Sequence, residues 1–167
     1  MACFLLARVL KTAGDSEQAL LLLDEARQRF EAVARKRADQ DAEVMASACL
    51  GEQGDCLRKL GRIGAAAAYE EQIRRAEQLG DDRGVAVGKG QLGTVHLQQS
   101  HYPEALAAYA EARERFAALD EPGSVATSWH QTGMAYQDAG QPEAAEDAYQ
   151  KSLALVVRLG DAAGQAN

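Results

Sequence analysis

The chain copies itself every forty residues, and no other feature narrows its fold so far. Tyr69, Tyr109 and Tyr149 are spaced by 40 and 40, and Leu79, Leu119 and Leu159 keep the same interval. After those leucines come Gly-Asp-Asp-Arg-Gly-Val-Ala (80–86), Asp-Glu-Pro-Gly-Ser-Val-Ala (120–126) and Gly-Asp-Ala-Ala-Gly-Gln-Ala (160–166). Gly93 and Gly133 also differ by 40, whereas Gly54 precedes Gly93 by 39, which predicts a turn one residue shorter between Leu60 and Ala65. A fixed period of this length marks a supersecondary unit that cannot bury its apolar face alone and must stack on its neighbours.

Each copy reads as two helices. Pro122 sits where a first-turn proline belongs, with Glu121 or Asp120 as its cap. Val125, Trp129, Thr132, Ala135 and Tyr136 then recur at helical spacing, Gly140 closes that helix, and Pro142 opens the next. The second helix carries Ala145, Tyr149, Ser152, Leu153 and Val156 on one stripe and is predicted to end at Leu159-Gly160. Acids four residues ahead of bases (Glu70/Arg74, Glu71/Arg75, Glu111/Arg115, Asp147/Lys151) read as pairs on a solvated face. By this register the chain is all-α, a right-handed solenoid of antiparallel helix pairs in one domain, with pairs at about 1–38, 41–80, 82–119 and 121–160. In the first pair the second helix runs from Ser16 to about Arg37, and 162–167 opens a fifth pair, as expected of a piece of a longer array.

Composition agrees and removes several functions. Of the 167 residues 47% are hydrophobic and only 5% aromatic, a balance that favours helix. A net charge of −7 argues against a nucleic-acid backbone as partner, since such readers present a basic face. Cys3, Cys49 and Cys56 lack metal or redox spacing and read as reduced thiols, the latter two buried on one helix face, which points to the cytoplasm. The N-terminal Phe4–Leu10 run is interrupted by Arg8 and followed by Lys11, so it is read neither as a signal peptide nor as a membrane span.

The fourth copy, Trp129-x2-Thr132-Gly133-x2-Tyr136 followed by Ala145-x3-Tyr149, resembles the tetratricopeptide signature of Trp, Leu-Gly, Tyr, Ala and Phe at the same offsets. The earlier copies give Leu92-Gly93-x2-His96 with Ala105-x3-Tyr109, Gln53-Gly54-x2-Leu57 with Ala65-x3-Tyr69, and Leu6-Ala7-x2-Leu10 with Ala19-x3-Leu23. The period of 40 rather than 34, and a Leu-Gly-Asp link in place of the closing proline, resemble the longer repeats of kinesin light chain, of LGN/Pins-type adaptors and of bacterial tetratricopeptide signalling proteins. Within such a register Gly54, Gly93 and Gly133 sit mid-helix at a cost of about 1 kcal/mol each, which implies a close crossing by the facing helix.

The resemblance implies a scaffold that binds a protein or peptide segment along the first helices of the pairs. Carried over by position, the groove residues are Phe4, Arg8 and Lys11; Gly51, Asp55 and Arg58; Gly90, Thr94 and Gln98; and His130, Met134 and Gln137. Arg8, Lys11 and Arg58 against Asp55 suggest an acidic or mixed-charge partner. No enzyme is expected: phosphate-loop, nucleophile-elbow and zinc-helix motifs are missing, and no metal or cofactor is called for. His96 and His101 are read as lying on different faces, with His96 in a core position. The alternative is that the chain is a sensor or regulatory arm of a larger bacterial enzyme or transcription regulator. Apolar solenoid ends further predict self-association.

Overall fold

The computed structural model describes the backbone of residues 1–165 and the side chains of residues 1–160. Eight helices follow one another: α1 (Ala2–Ala13), α2 (Ser16–Arg37), α3 (Gln40–Lys59), α4 (Ala65–Leu79), α5 (Asp82–Gln98), α6 (Tyr102–Ala118), α7 (Pro122–Asp138) and α8 (Pro142–Gln165). No strand occurs among the described residues. The all-α class and the pairing of successive helices thus hold as read from the repeat.

The helices begin and end for local reasons. Asp15 accepts from the Gln18 N–H at 3.1 Å and Asp39 from the Ala42 N–H at 3.1 Å, so each caps the first turn behind it. Asp81 does the same for α5, accepting from Gly84 N–H at 2.8 Å. At the matching place before α7, Glu121 instead accepts from the Ser124 hydroxyl at 2.9 Å. Gly14, Gly80 and Gly140 take left-handed φ values of 92°, 68° and 73° where helices stop. Asp120 stands at the position equivalent to Gly80 and is forced to φ 54°.

Two connections differ from expectation. The 60–64 link is not a tighter turn. It is one residue short overall, α4 forgoes its first turn and begins at Ala65, and five residues bridge the gap with Gly61 and Gly64 both left-handed. This strands Ile63 fully in solvent, at 102%. The expected stop at Leu159-Gly160 is also absent, because Gly160 keeps a helical backbone and α8 runs through it to Gln165. The expected fifth pair at 162–167 is therefore α8 as far as Gln165, and its last two residues lie outside the described ones.

The chain divides into two compact units, Met1–Gly88 and Lys89–Asn167. In the first, α1 packs on α2, α2 on α3 and α3 on α4. Its core gathers Phe4, Ala7, Ala19, Leu23, Ala26, Cys49 and Cys56, with Phe30 edge-on to Phe4 at 6.4 Å. Small residues dominate, as close helix crossings require. In the second unit α6 packs on α7 and α7 on α8. A core of Ala105, Tyr109 and Ala135 is flanked there by Leu97 and Leu106.

Candidate functional site

One contact recurs in every copy from the second onward and fixes the first helix of a pair against the second. A Cβ on Gly54 would lie 2.6 Å from Tyr69 Cε1, one on Gly93 2.7 Å from Tyr109 Cε1, and one on Gly133 2.5 Å from Tyr149 Cε1. The mid-helix glycines therefore exist to seat a tyrosine ring, not to let two backbones touch. Each ring lies against its glycine with the hydroxyl reaching the first-helix side, where the candidate residues lie.

In the first unit that side is a charged network. Tyr69 donates to Asp55 Oδ1 at 2.7 Å, and Lys11 Nζ donates to Asp55 Oδ2 at 2.8 Å and also to Glu52. Arg8 stands 3.5 Å from Glu52 with over half its side chain in solvent. Burial opposes the charge on Lys11, yet its bonds to Asp55 and Glu52 prevail and hold its pKa above the ordinary lysine value. Burial, then the neighbouring Asp55 carboxylate, pushes the Tyr69 phenol well above the usual tyrosine value. Arg58 reaches the same phenol, while its Nε is buried without a hydrogen-bond partner. Glu52 escaped the sequence reading; its signal was the spacing of three from Asp55, which puts both acids on one face of α3.

This geometry revises the list. Phe4 is buried at 7% within the core, because the first-helix stripe of α1 turns toward α2. Gly51 faces Gln72 of α4 and Gly90 faces Ala112 of α6, so neither lines the first-helix surface. Lys11 is engaged by two acids and only 15% exposed, which leaves Arg8 as the open cation and weakens the argument for an acidic partner.

In the second unit the equivalent side is neutral. Thr94 accepts from Tyr109 at 3.2 Å and donates to the Gly90 carbonyl at 3.1 Å. Gln137 accepts from Tyr149 at 3.0 Å, and the His130 ring lies 5.3 Å from the Tyr149 ring. Gln98, His130, Met134 and Gln137 are exposed. His96 lies in α5 and His101 in the turn before α6, as expected, but that turn brings their rings to 6.2 Å, with His96 Nδ1 buried and unpartnered. No group of three or more metal-ligating side chains gathers among the described residues.

The charged second-helix faces differ in detail from the sequence reading. Glu71 serves both Arg74 (2.6 Å) and Arg75 (2.7 Å), and these bonds hold its carboxyl down to about 2. Arg74 thus takes Glu71, three residues back, rather than Glu70. Glu111 reaches across to Lys89 at 2.7 Å, and Lys151 keeps Asp147 at 2.6 Å. Cys49 and Cys56 are fully buried, and burial pushes the Cys49 thiol up to about 12.

Against known proteins, the tetratricopeptide repeat family model matches residues 84–156. No curated protein sequence matches the chain. Among solved structures, BtubC (BKLC) from P. vanneervenii is similar over 95% of this chain with a TM-score of 0.78 at 16% identity. The chain spans 63% of that protein's length. The nearly identical TPR-like repeats of a kinesin light chain-like protein from Podosopora anserina are similar over 95% of both chains, with a TM-score of 0.53 at 14% identity. At these identities the likeness shows the fold. The forty-residue register and the glycine–tyrosine seat in three successive copies go with a TPR-like fold, and residues 84–156 match the tetratricopeptide repeat family model.

Proposed function

We propose that the chain is a non-catalytic interaction module that binds a protein segment on the first-helix faces of its pairs. The observation that carries this reading is the division of labour around each tyrosine. Each ring is committed to packing and its hydroxyl to a polar partner on the first helix, which leaves the neighbouring first-helix side chains to form a polar surface. On the first unit the surface offers Arg8, Asp55 and Arg58; on the second it offers Thr94, Gln98, His130, Met134 and Gln137. Mixed polarity with one accessible thioether suits an extended or helical segment of moderate polarity. Buried free thiols fit a reducing compartment, the cytoplasm. No helix among the described residues is long and apolar enough to cross a membrane.

The test is affinity capture from a bacterial lysate with wild type, Arg8→Glu and Met134→Glu side by side, each checked for helicity. Partners held by wild type and lost from either variant support the reading. An identical set on all three baits removes the first-helix faces from it. Turnover of generic ester, phosphate or peptide substrates that vanished in His130→Ala would replace it with an enzyme.

A further inference from the structure

On the second unit, a cleft of about 240 Å³ opens between α6, α7 and α8, away from the candidate groove residues. Arg113, Trp129, Thr132, Tyr136, Asp147 and Lys151 give it its chemistry. The Arg113 guanidinium carbon lies 3.8 Å from the centre of the Trp129 ring, and Lys151 Nζ lies 4.6 Å from it. Lys151 is matched by Asp147 at 2.6 Å. Arg113 forms no ion pair among the described residues, though the adjacent Glu114 carboxylate acts on its charge from a distance. Its polar contact is the Thr132 hydroxyl at 3.5 Å, the outer limit of a hydrogen bond, and it pairs with no carboxylate among the described residues. A half-buried guanidinium left this way is costly unless something completes it.

We propose that this cleft is a carboxylate-binding site in which Arg113 grips the two oxygens over the Trp129 ring, the natural occupant being an aspartate or glutamate side chain of a partner. The planar guanidinium presents paired N–H donors that match a carboxylate. Stacking on an aromatic ring fixes its plane in advance, so little freedom is lost on binding. Two cations and one acid line the cleft, leaving one positive charge unmatched, which a single carboxylate cancels. A phosphate dianion would set surplus negative charge beside Asp147. The volume is below the roughly 300–1,000 Å³ of ordinary small-molecule sites, which fits one side-chain head. The site rests on the interaction reading only for the source of the carboxylate; its chemistry stands apart from the first-helix faces.

Trp129 is the only tryptophan, so its emission reports the cleft directly in the whole chain. The probes are N-acetyl-Gly-Glu-Gly-amide, its glutamine counterpart, propionate and inorganic phosphate. A saturable change with the glutamate peptide and none with the glutamine peptide is expected. Arg113→Met should weaken it at least about tenfold, Arg113→Lys less, and Arg8→Glu not at all, helicity being checked for each. Should Arg113→Met unfold, Lys151→Met must give a weaker response than wild type, and a rise from low to high salt must weaken the response of wild type itself. Propionate, which is the glutamate side-chain head alone, should compete with the peptide for the cleft. No saturable change, equal response to the glutamine peptide, tighter binding of phosphate, or an unaltered titration in Arg113→Met overturns the proposal. Loss of partner capture in Arg8→Glu with an intact titration separates the two sites.

Discussion

The same tyrosine does two different things in the two units. Tyr69, Tyr109 and Tyr149 all press a ring edge onto a mid-helix glycine at 2.5–2.7 Å from where a Cβ would be. Their hydroxyls then part company: in the first unit Tyr69 meets the Asp55 carboxylate, while in the second Tyr109 meets Thr94 and Tyr149 meets Gln137. A repeat therefore holds constant the atoms that pack and lets the polar partner vary. Acid, alcohol and amide each satisfy a phenol, so the packing constraint says nothing about which is used. That freedom leaves the first unit with a charged first-helix face and the second with a neutral one.

The comparison breaks most visibly if the rings go. Tyr69→Ala and Tyr109→Ala should each cost about 3–5 kcal/mol, the scale for a large buried aromatic, and similar losses in urea melts would confirm a shared structural role. A loss in only one unit would mean that the copies are not equivalent. Next, Gly133→Val should cost about 1–3 kcal/mol through overpacking against Tyr149, whereas Gly123→Ala, with Leu159 at 4.0 Å, should be neutral or slightly stabilising. Equal shifts in the two melting curves would contradict the seat. Removing hydroxyls sharpens the difference between units. Tyr69→Phe, losing a bond to a charged group, should cost about 1.5–3 kcal/mol, and Tyr109→Phe about 0.5–1.5. The smallest effect concerns the turns: Asp120→Gly should stabilise by about 1 kcal/mol, since it gives the second unit the residue that Gly80 supplies in the first. A destabilised Asp120→Gly would show that the Asp120 side chain has a use of its own.

Much of the helical layout was readable because its signals are local. Ser16–Arg37, Pro122 and Pro142 fall where caps, prolines and apolar periodicity put them. What escaped depends on partners far away in sequence. Phe4 could be assigned to a stripe but not to the core, since that depends on how α1 rolls against α2. The 39-residue interval revealed a missing residue without revealing that α4, rather than the turn, would absorb it. Lys11 read as a groove cation because the second acid facing it, Glu52, comes from another helix, 41 residues on. The Trp129 cleft did leave a trace: at the register of Glu71 and Glu111 the last copy carries Lys151, which pairs with Asp147 and also lies over the Trp129 ring.

The distribution of the rarer side chains gives the molecule two built-in reporters. All three cysteines belong to the first unit and the sole tryptophan to the second. With the Cys49 thiol fully enclosed and its ionisation suppressed, an alkylating reagent can modify it only during excursions that open α3. Once the part-exposed Cys3 has reacted, labelling of Cys49 thus times the breathing of one half of the chain while indole emission follows the other, so the two halves can be compared without mutation.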